Sequence, residues 1–462
     1  MMRPIAVDLF AGAGGMSLGF EQAGFDILAA VEHDPVHCAT HEYNFPDCAI
    51  ICKSVTTTTG LEIRENSDIG NADIDVVFGG PPCQGVSLMG KRALDDPRNE
   101  LMLHFVRLVA ELNPKYFVME NVKGLTIGKH KGILTEVITQ LQASGYEVEA
   151  DYKVLNAAEY GVPQDRRRLF LFGCRRGFQL PKYPLPVTRS AVPSNQLKLN
   201  GMELPVGPTV WDAIQDLPEA ENYPQLLDRD WVTAPHGKPS NYAAPLRWQT
   251  DPQNYSYERL YHPELLTSSM RTVHTNLSID RFSAAPPGTI EPISRFPKLS
   301  PTGICNTLRA GTGADRGAYT SPRPIHPTTP RCITVREAAR LHSYPDWFRF
   351  HFTKWHGFRQ IGNSVPPNLA RAVGSSIISA LNIQPQKPMG IVLPGDLKLL
   401  GFTLSEAANY YGTDRKAMGS RTRISNNPNK LQSKLQELDS TGPTLNAQKF
   451  SNDNLIPIMA IA

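Results

Sequence analysis

Short apolar runs alternate with amphipathic stretches along the first 175 residues of the chain. The apolar runs predict buried β-strands at residues 5–10, 25–31, 74–79, 116–119 and 169–173. Apolar positions at helical spacing predict helices at residues 16–23, 100–112 and 132–144. Strands that alternate with helices are typical of an α/β fold, so the pattern predicts a doubly wound, mostly parallel sheet. Such sheets bind ligands at the carboxyl ends of their strands.

The pattern changes near residue 181. Residues 181–330 hold most of the prolines and little periodicity, which predicts a loop-rich insertion with short strands. Helical spacing returns at residues 335–341 and 368–380, and we expect these helices to pack back onto the first sheet. The predicted organisation has four parts: the first part of the α/β domain at 1–184, the insertion at 185–330, the returning part at 331–384 and a tail at 385–462.

The tail carries one pattern of its own. Residues 402–421 resemble a small helix-turn-helix, with Ser405 as the helix cap and Gly412 in the turn. An accessory DNA-binding unit and a packed or merely solvated helix pair are both compatible with this pattern. From Ser425 onward the polar composition predicts a poorly ordered end.

Composition excludes several classes of protein. Hydrophobic residues make up 41% of the 462 residues and charged residues 20%, as in ordinary globular proteins. No uncharged apolar run approaches the roughly 18 residues of a membrane span, and the N-terminus lacks a signal-peptide core. Seven cysteines in so long a chain predict reduced thiols in the cytoplasm. The net charge of +3 is too small to predict a partner.

A glycine-rich turn at residues 11–15 joins the first predicted strand to the first helix. Glycines there allow a ligand to approach the backbone closely. Glu32 follows the second strand, where a carboxylate commonly binds ribose hydroxyls. The turn therefore predicts a nucleoside-type cofactor, although a tight turn beside a surface acid would give the same pattern. The spacing differs from G-x-G-x-x-G, which argues against a dinucleotide.

Cys83 follows the 74–79 strand on a proline-stiffened turn, Pro81-Pro82-Cys83. It is thereby predicted to lie at the edge of the sheet that binds ligands. A thiol there is a candidate nucleophile, and an inert loop thiol is the alternative. Residues 85–99 contain glycines and mixed charges and are a candidate lid.

A carboxylate and two arginines complete the candidate chemistry. Glu120 ends the 116–119 strand, and a protonated carboxyl there can hydrogen-bond a ring nitrogen. Arg166 and Arg168 share one face of the last strand, a pair suited to an anion or a polarised carbonyl. A solvated acid and a surface basic run are the alternatives for each taken alone.

Taken in order, these motifs resemble those of the bacterial DNA (cytosine-5) methyltransferases. The resemblance spans residues 3–384, except much of 185–300. The six ordered motifs are Asp8-Leu9-Phe10-Ala11-Gly12, Pro82-Cys83-Gln84, Glu120-Asn121-Val122, Gln164-Asp165-Arg166-Arg167-Arg168, Thr334-Val335-Arg336-Glu337-Ala338-Ala339-Arg340-Leu341 and Gln360-Ile361-Gly362-Asn363-Ser364-Val365. The family implies a Rossmann-like, S-adenosylmethionine-dependent sheet, with the insertion as a DNA-recognition domain.

The resemblance also implies roles for individual residues. Cys83 is the implied nucleophile, and Glu120 the implied partner of cytosine N3. Arg166 and Arg168 are expected to hold the base carbonyl and to position Cys83. The implied cofactor-binding residues are Phe10 at the adenine, Glu32 at the ribose, Gly12, Gly14 and Asn363 at the methionine end, and Pro82. The family often has an acid for the adenine amino group where this chain has Ser54; Asp68 is a poorly spaced substitute.

The implied reaction explains these residue types. Cytosine C5 becomes nucleophilic once a thiolate adds to C6, and nearby charges stabilise the adduct. The base must be flipped out of the duplex, and Gln84 or Ser87 is hypothesised to fill the gap. The base that removes the C5 proton is left open, with water as one option.

Two further clusters of residues are candidates for phosphate binding and for metal binding. Residues 265–331 hold eight basic residues against three acids, which suits phosphate binding, and Arg309 and Arg323 are the candidate DNA-binding residues. A solvated face is the alternative. His33, His37, Cys38, His41, Cys48 and Cys52 lie within 20 residues but lack tight cysteine pairs, so we expect no metal site.

The sequence therefore predicts a DNA cytosine-5 methyltransferase, either solitary or paired with a restriction endonuclease. We expect a monomer in the bacterial cytoplasm, associated with the nucleoid and not with a membrane. The alternatives are a tRNA cytosine-5 methyltransferase and a catalytically inactive DNA-binding regulator. A nicotinamide oxidoreductase is disfavoured by the glycine spacing.

Overall fold

A computed structural model describes residues 3–82, 100–191, 198–199, 202–311 and 323–414. Its centre is an eight-stranded sheet of order β3-β2-β1-β4-β5-β9-β6, in which β7 also pairs with β9. The strands are β1 Ile5–Leu9, β2 Asp26–Glu32, β3 Ala49–Cys52, β4 Val76–Gly79, β5 Tyr116–Val122, β6 Tyr146–Val148, β7 Lys153–Asn156 and β9 Arg167–Arg175. The first five run parallel, and β9 is antiparallel to β5, β6 and β7. The predicted mostly parallel α/β sheet is confirmed.

Helices of the α/β region cover both faces of the sheet. The described helices are α1 Gly15–Ala23, α2 Pro35–Asn44, α3 Gly60–Glu65, α4 Glu100–Leu112, α5 Lys131–Ala143, α6 Val210–Ile214, α7 Ala243–Trp248, α8 Asn276–Ala284, α9 Val335–Leu341, α10 Lys354–Asn363, α11 Pro367–Ala380 and α12 Leu404–Tyr410, of which α6 to α8 belong to the insertion and α12 to the tail. Alternate strand residues enter two separate cores: Val76 and Phe78 pack with α1 and α11, and Val77 with α4 and α5. Burial on both faces explains why the strands read as continuous apolar runs.

The returning helix α11 packs directly against α1, as the sequence predicted. A Cβ at Gly19 would lie 2.3 Å from the Ala370 Cβ, so only glycine permits this approach. The hydroxyl of Tyr116, at the start of β5, donates to the carbonyl of Ala380 at 3.0 Å. These contacts join residues from the two ends of the α/β region into one body.

The described part of the insertion contributes six further strands of two residues each: β10 Lys198–Leu199, β11 Met202–Glu203, β12 Val232–Thr233, β13 Glu258–Arg259, β14 Leu265–Leu266 and β15 Cys305–Asn306. Another two-residue strand, β16 Ile391–Val392, follows in the tail. Strand pairing joins the insertion to its neighbours: β15 pairs with β8 Gln164–Asp165 of the α/β region, and β13 pairs with β16 of the tail.

Buried arginines fasten the insertion to the returning segment. Arg340 is fully buried and pairs with Asp216 at 3.1 Å and Asp346 at 2.6 Å. Arg349 pairs with Asp230 at 3.2 Å. Charges this deeply buried require such partners, because an unpaired ion in an apolar interior costs several kcal/mol.

The tail begins against the α/β region. Leu399 and Leu400 pack on α2, and the hydroxyls of Tyr410 and Tyr411 donate to Glu42. The predicted cap at Ser405 is wrong: Thr403 caps α12, because its side chain accepts from the backbone N–H of Glu406 three residues on. The second predicted helix, with Arg415, Lys416 and Arg421, lies outside the described residues. Among the described helices, none has the length and apolar character needed to cross a bilayer.

Candidate active site and cofactor loop

The loop between β1 and α1 is a series of left-handed backbone conformations. Phe10, Gly12 and Gly14 have φ of 64°, 55° and 98°. A Cβ at Gly14 would lie 2.5 Å from the Phe45 ring, whereas a Cβ at Gly12 would meet nothing within 4 Å. Gly14 is therefore required by packing, and Gly12 leaves a backbone surface open on the ligand side of the sheet.

Glu32, at the carboxyl end of β2, links this loop to the start of α2. Its Oε2 accepts from Gly12 N at 2.8 Å, and its Oε1 accepts from His33 N and Asp34 N at 2.9 and 2.8 Å. Burial raises the pKa of Glu32, but the hydrogen bond and charge of His33 outweigh it and hold the pKa well below its usual range. The carboxylate is therefore ionised. His33 Nδ1 also lies 2.9 Å from Oε1, so the accepting position that remains is on Oε2.

A buried polar chain lies beneath the loop. Asp8 is 2.6 Å from Ser17 Oγ, which is also 3.0 Å from His41 Nε2. Burial raises the pKa of Asp8 to about 8, partly offset by the Ser17 hydrogen bond, and burial lowers the pKa of His41 to about 3. All three side chains are thus neutral near pH 7. His41 lies in sequence among histidines and cysteines, and its contact with Ser17 forms only in the fold. Among the described residues, no cluster of His, Cys, Asp and Glu is arranged to hold a metal.

Glu120 and Arg168 meet at the carboxyl end of β5. Arg168 Nε lies 2.9 Å from Glu120 Oε1, and the two side chains are 15% and 13% exposed respectively. Burial raises the pKa of Glu120, although the charges of Arg168 and Arg166 oppose the shift. A carboxyl with a raised pKa keeps its proton to higher pH than an ordinary surface glutamate, so it is better suited to share a proton with a ring nitrogen.

The chain that leads to position 83 runs against this pair. A Cβ at Gly80 would lie 2.7 Å from Glu120 Oε2, so the segment after β4 touches the carboxyl. Pro81 O accepts from the buried Asn121 Nδ2 at 3.0 Å, which fixes the segment to the end of β5. Cys83, Gln84, Ser87 and the candidate lid at 85–99 lie outside the described residues.

Arg166 makes different contacts from Arg168. It is 1% exposed, and its guanidinium donates to three carbonyls, those of Leu308, Gly362 and Ser364, at 2.7–2.9 Å. Arg166 thereby ties the end of the insertion to the end of α10, whereas Arg168 alone pairs with Glu120. From the sequence, the same role was expected of both arginines, namely to hold the base carbonyl and to position Cys83.

Comparison with known proteins identifies the family. The model of the C-5 cytosine-specific DNA methylases matches residues 5–379. The chain belongs to this family. It is a DNA cytosine-5 methyltransferase, and the family implies S-adenosylmethionine as the methyl donor.

Relatives of this methyltransferase extend over nearly its full length. The Type II methyltransferase M.XorII of Xanthomonas oryzae pv. oryzae is 59% identical over 429 residues, which cover 93% of this chain and 97% of that protein. M.AgeI of Thalassovita gelatinovora is 34% identical, covering 81% and 99%. A crystal structure of a prophage-encoded DNA modification methyltransferase of E. coli matches with a TM-score of 0.65 and 33% identity, covering 82% of this chain and all of that one.

The remaining cofactor candidates of the methyltransferase lie on different elements. Pro82 is half-buried beyond the Glu120 contact, and Asn363 is exposed at the end of α10. Cys52 pairs with Glu32 in the sheet, so Ser54 follows at the same edge, where its Oγ contacts Thr56 Oγ1 at 2.8 Å. Asp68 is exposed beyond α3. The residues around the loop fit a nucleoside with a charged tail, because they combine an open glycine backbone with an ionised carboxylate.

The predicted basic surface at residues 265–331 is wrong for two of its members. Lys298 is buried and its Nζ donates to Phe282 O at 2.8 Å. Arg331 is 4% exposed and pairs with Glu219 and Glu337, each at 2.7 Å. These charges stabilise the fold and do not face a partner.

The two candidate DNA-binding arginines both border α10. A Cβ at Gly362 would lie 2.3 Å from the carbonyl carbon of Arg309, so Arg309 runs against the end of the helix. Arg323 lies over the Phe358 ring at 5.7 Å and donates to Thr272 Oγ1 at 3.4 Å.

Proposed function

We propose that this methyltransferase modifies C5 of a flipped-out cytosine within a specific duplex DNA sequence, with Cys83 as the covalent nucleophile. One observation carries the proposal. A buried carboxyl of raised pKa, paired with Arg168, touches the segment that leads directly to Cys83. An acid, a cation and a candidate nucleophile thus belong to one pocket edge, as addition to a pyrimidine ring requires.

In the proposed reaction the Cys83 thiolate forms a bond to C6 of the cytosine, and the electron pair of the C5–C6 double bond moves into the ring. Neutral Glu120 donates to N3, where negative charge develops, and Arg168 holds the base carbonyl. Arg166 holds the carbonyls of Leu308, Gly362 and Ser364 beside the pocket. S-adenosylmethionine, when bound, supplies an electrophilic methyl group for C5. A base, water being one option, then takes the C5 proton, and the Cys83–C6 bond breaks to restore the ring.

The cofactor loop supplies the proposed donor site. Phe10 is proposed to lie against the adenine and Glu32 to accept from the ribose hydroxyls, since its carboxylate is ionised and retains an accepting position on Oε2. The methionine end is assigned to Gly12, Gly14 and Asn363, with Pro82 beside the transferred methyl. Ser54 takes the position near the adenine amino group.

The proposed DNA contacts come from both sides of the pocket. Arg309 and Arg323 would contact the duplex from the α10 side, and Gln84 or Ser87 would occupy the gap left by the flipped base. We propose that the enzyme works as a monomer in the bacterial cytoplasm, on nucleoid DNA. We also propose that a cognate restriction endonuclease recognises the same DNA sequence. The Type II names of its relatives support this partner.

Whole-genome cytosine methylation mapping tests the proposal. After expression in a methylation-free host, we expect 5-methylcytosine at one short recurrent sequence, and none with the Cys83→Ala variant. Methylation confined to tRNA, or a genome without 5-methylcytosine despite soluble protein, would contradict the proposed substrate.

A further inference from the structure

Three cations converge where the insertion meets the start of α10. We call Arg271, Arg323 and Lys354 the cation cluster. Lys354 Nζ donates to the carbonyl of Arg271, and Arg323 donates to the hydroxyl of the next residue, Thr272. Arg323 also lies over Phe358, one turn along α10 from Lys354. The contacts bring the cations together although they come from three separate parts of the chain.

Carboxylates compensate only part of this charge. Arg271 pairs with Glu221. Within the described part of the chain, neither Arg323 nor Lys354 lies within ion-pair distance of a carboxylate. Burial lowers the pKa of Lys354 and the charge of Arg323 lowers it further. Burial likewise lowers the pKa of the neighbouring His274, and Arg323 and Lys354 add to that shift. The cluster thus has a surplus of positive charge.

The first turn of α10 adds to this surplus. Lys354 is the first residue of the helix, where the helix dipole disfavours a cation. The first turn has no acidic residue, and Thr353 makes no side-chain cap; its hydroxyl instead contacts His351 Nδ1 at 3.0 Å. A lysine at a helix N-terminus without a side-chain cap is unfavourable for local stability. Locally unfavourable residues of this kind are expected at functional sites.

We propose that Arg323 and Lys354 bind one backbone phosphate of the duplex that carries the target cytosine. The inference rests on the proposed function. A phosphate carries the negative charge that would compensate both cations. Eight residues beyond Lys354 on α10, about 12 Å at the helical rise, Gly362 abuts Arg309. Arg309 and the phosphate site would therefore lie beside opposite ends of the same helix and contact the duplex at two points.

Equilibrium binding to duplex DNA over a range of salt concentrations tests this site. We expect Lys354→Gln and Arg323→Gln each to reduce the salt slope of the binding constant by about 1, because each removes one phosphate contact. Both variants should weaken binding to a cognate and a scrambled duplex equally. Lys354→Arg should retain most of the wild-type affinity for DNA.

Arg176→Gln is the matched control, since it removes a charge from an exposed arginine at the opposite edge of the sheet. An unchanged salt slope in folded Lys354→Gln, with thermal unfolding as in the wild type, would overturn the phosphate site. Loss of affinity for the cognate sequence alone would also overturn it, because it indicates base reading. If the wild type fails to methylate cytosine in the same duplex, the proposed function fails instead.

Discussion

Replacing Glu120 with glutamine lowers kcat for cytosine methylation by about 10²–10⁴-fold, the range typical of a lost general acid. The amide retains the shape of the carboxyl, and its oxygen still accepts from Arg168 Nε. It has no acidic proton to share with N3. Single-turnover methylation of a cognate duplex measures the effect directly, and DNA affinity should change little.

The pH profile distinguishes a catalytic acid from a structural one. The proposed mechanism uses the protonated form of Glu120, whose pKa is raised by burial, so kcat/KM of the wild type should fall as pH rises through that pKa. Glu120→Gln should lose this descending limb. Glu159→Gln is the control, because burial also raises the pKa of Glu159; its turnover should stay within about threefold of the wild type. A Glu120→Gln enzyme of normal rate would remove Glu120 from the mechanism.

Replacing Arg340 with alanine should lower the free energy of unfolding by about 3–5 kcal/mol, the cost of breaking a buried ion pair from one side. The variant leaves Asp216 and Asp346 buried without their shared partner. Urea unfolding followed by circular dichroism measures the loss. Lys398→Ala, at an exposed pair with Asp396, should cost less than about 1 kcal/mol. An Arg340→Ala variant as stable as Lys398→Ala would refute the account of how the insertion is fastened.

Periodicity predicted the framework of the fold well. Helices α4 and α9 begin and end at the predicted residues. Helix α2 was missed, although Asp34 caps it and Pro35 opens it. The histidines and the cysteine of α2 instead suggested metal ligands, and the apolar positions of α2 show only weak helical periodicity. Helix α10 was not predicted either, because its many polar residues obscure the helical spacing of its buried residues.

The site was predictable only where local sequence decides it. Glu120 and Glu32 both end strands, so parallel topology brings them to one edge of the sheet. The different contacts of Arg166 were not predictable, because its carbonyl partners lie 142–198 residues away in the chain. The burial of Lys298 and Arg331 was missed for a related reason: a count of charges does not tell which of them are paired inside the fold.

Covalent trapping tests the central claim most directly. A cognate duplex that carries 5-fluorocytosine at the target position should form a stable adduct with the wild type and S-adenosylmethionine, because fluorine cannot leave C5 as a proton does. We expect a single band that resists denaturation, with the modified peptide containing Cys83, and no adduct with Cys83→Ala. An equal yield of adduct from Cys83→Ala would contradict the assignment of the nucleophile and the mechanism built on it.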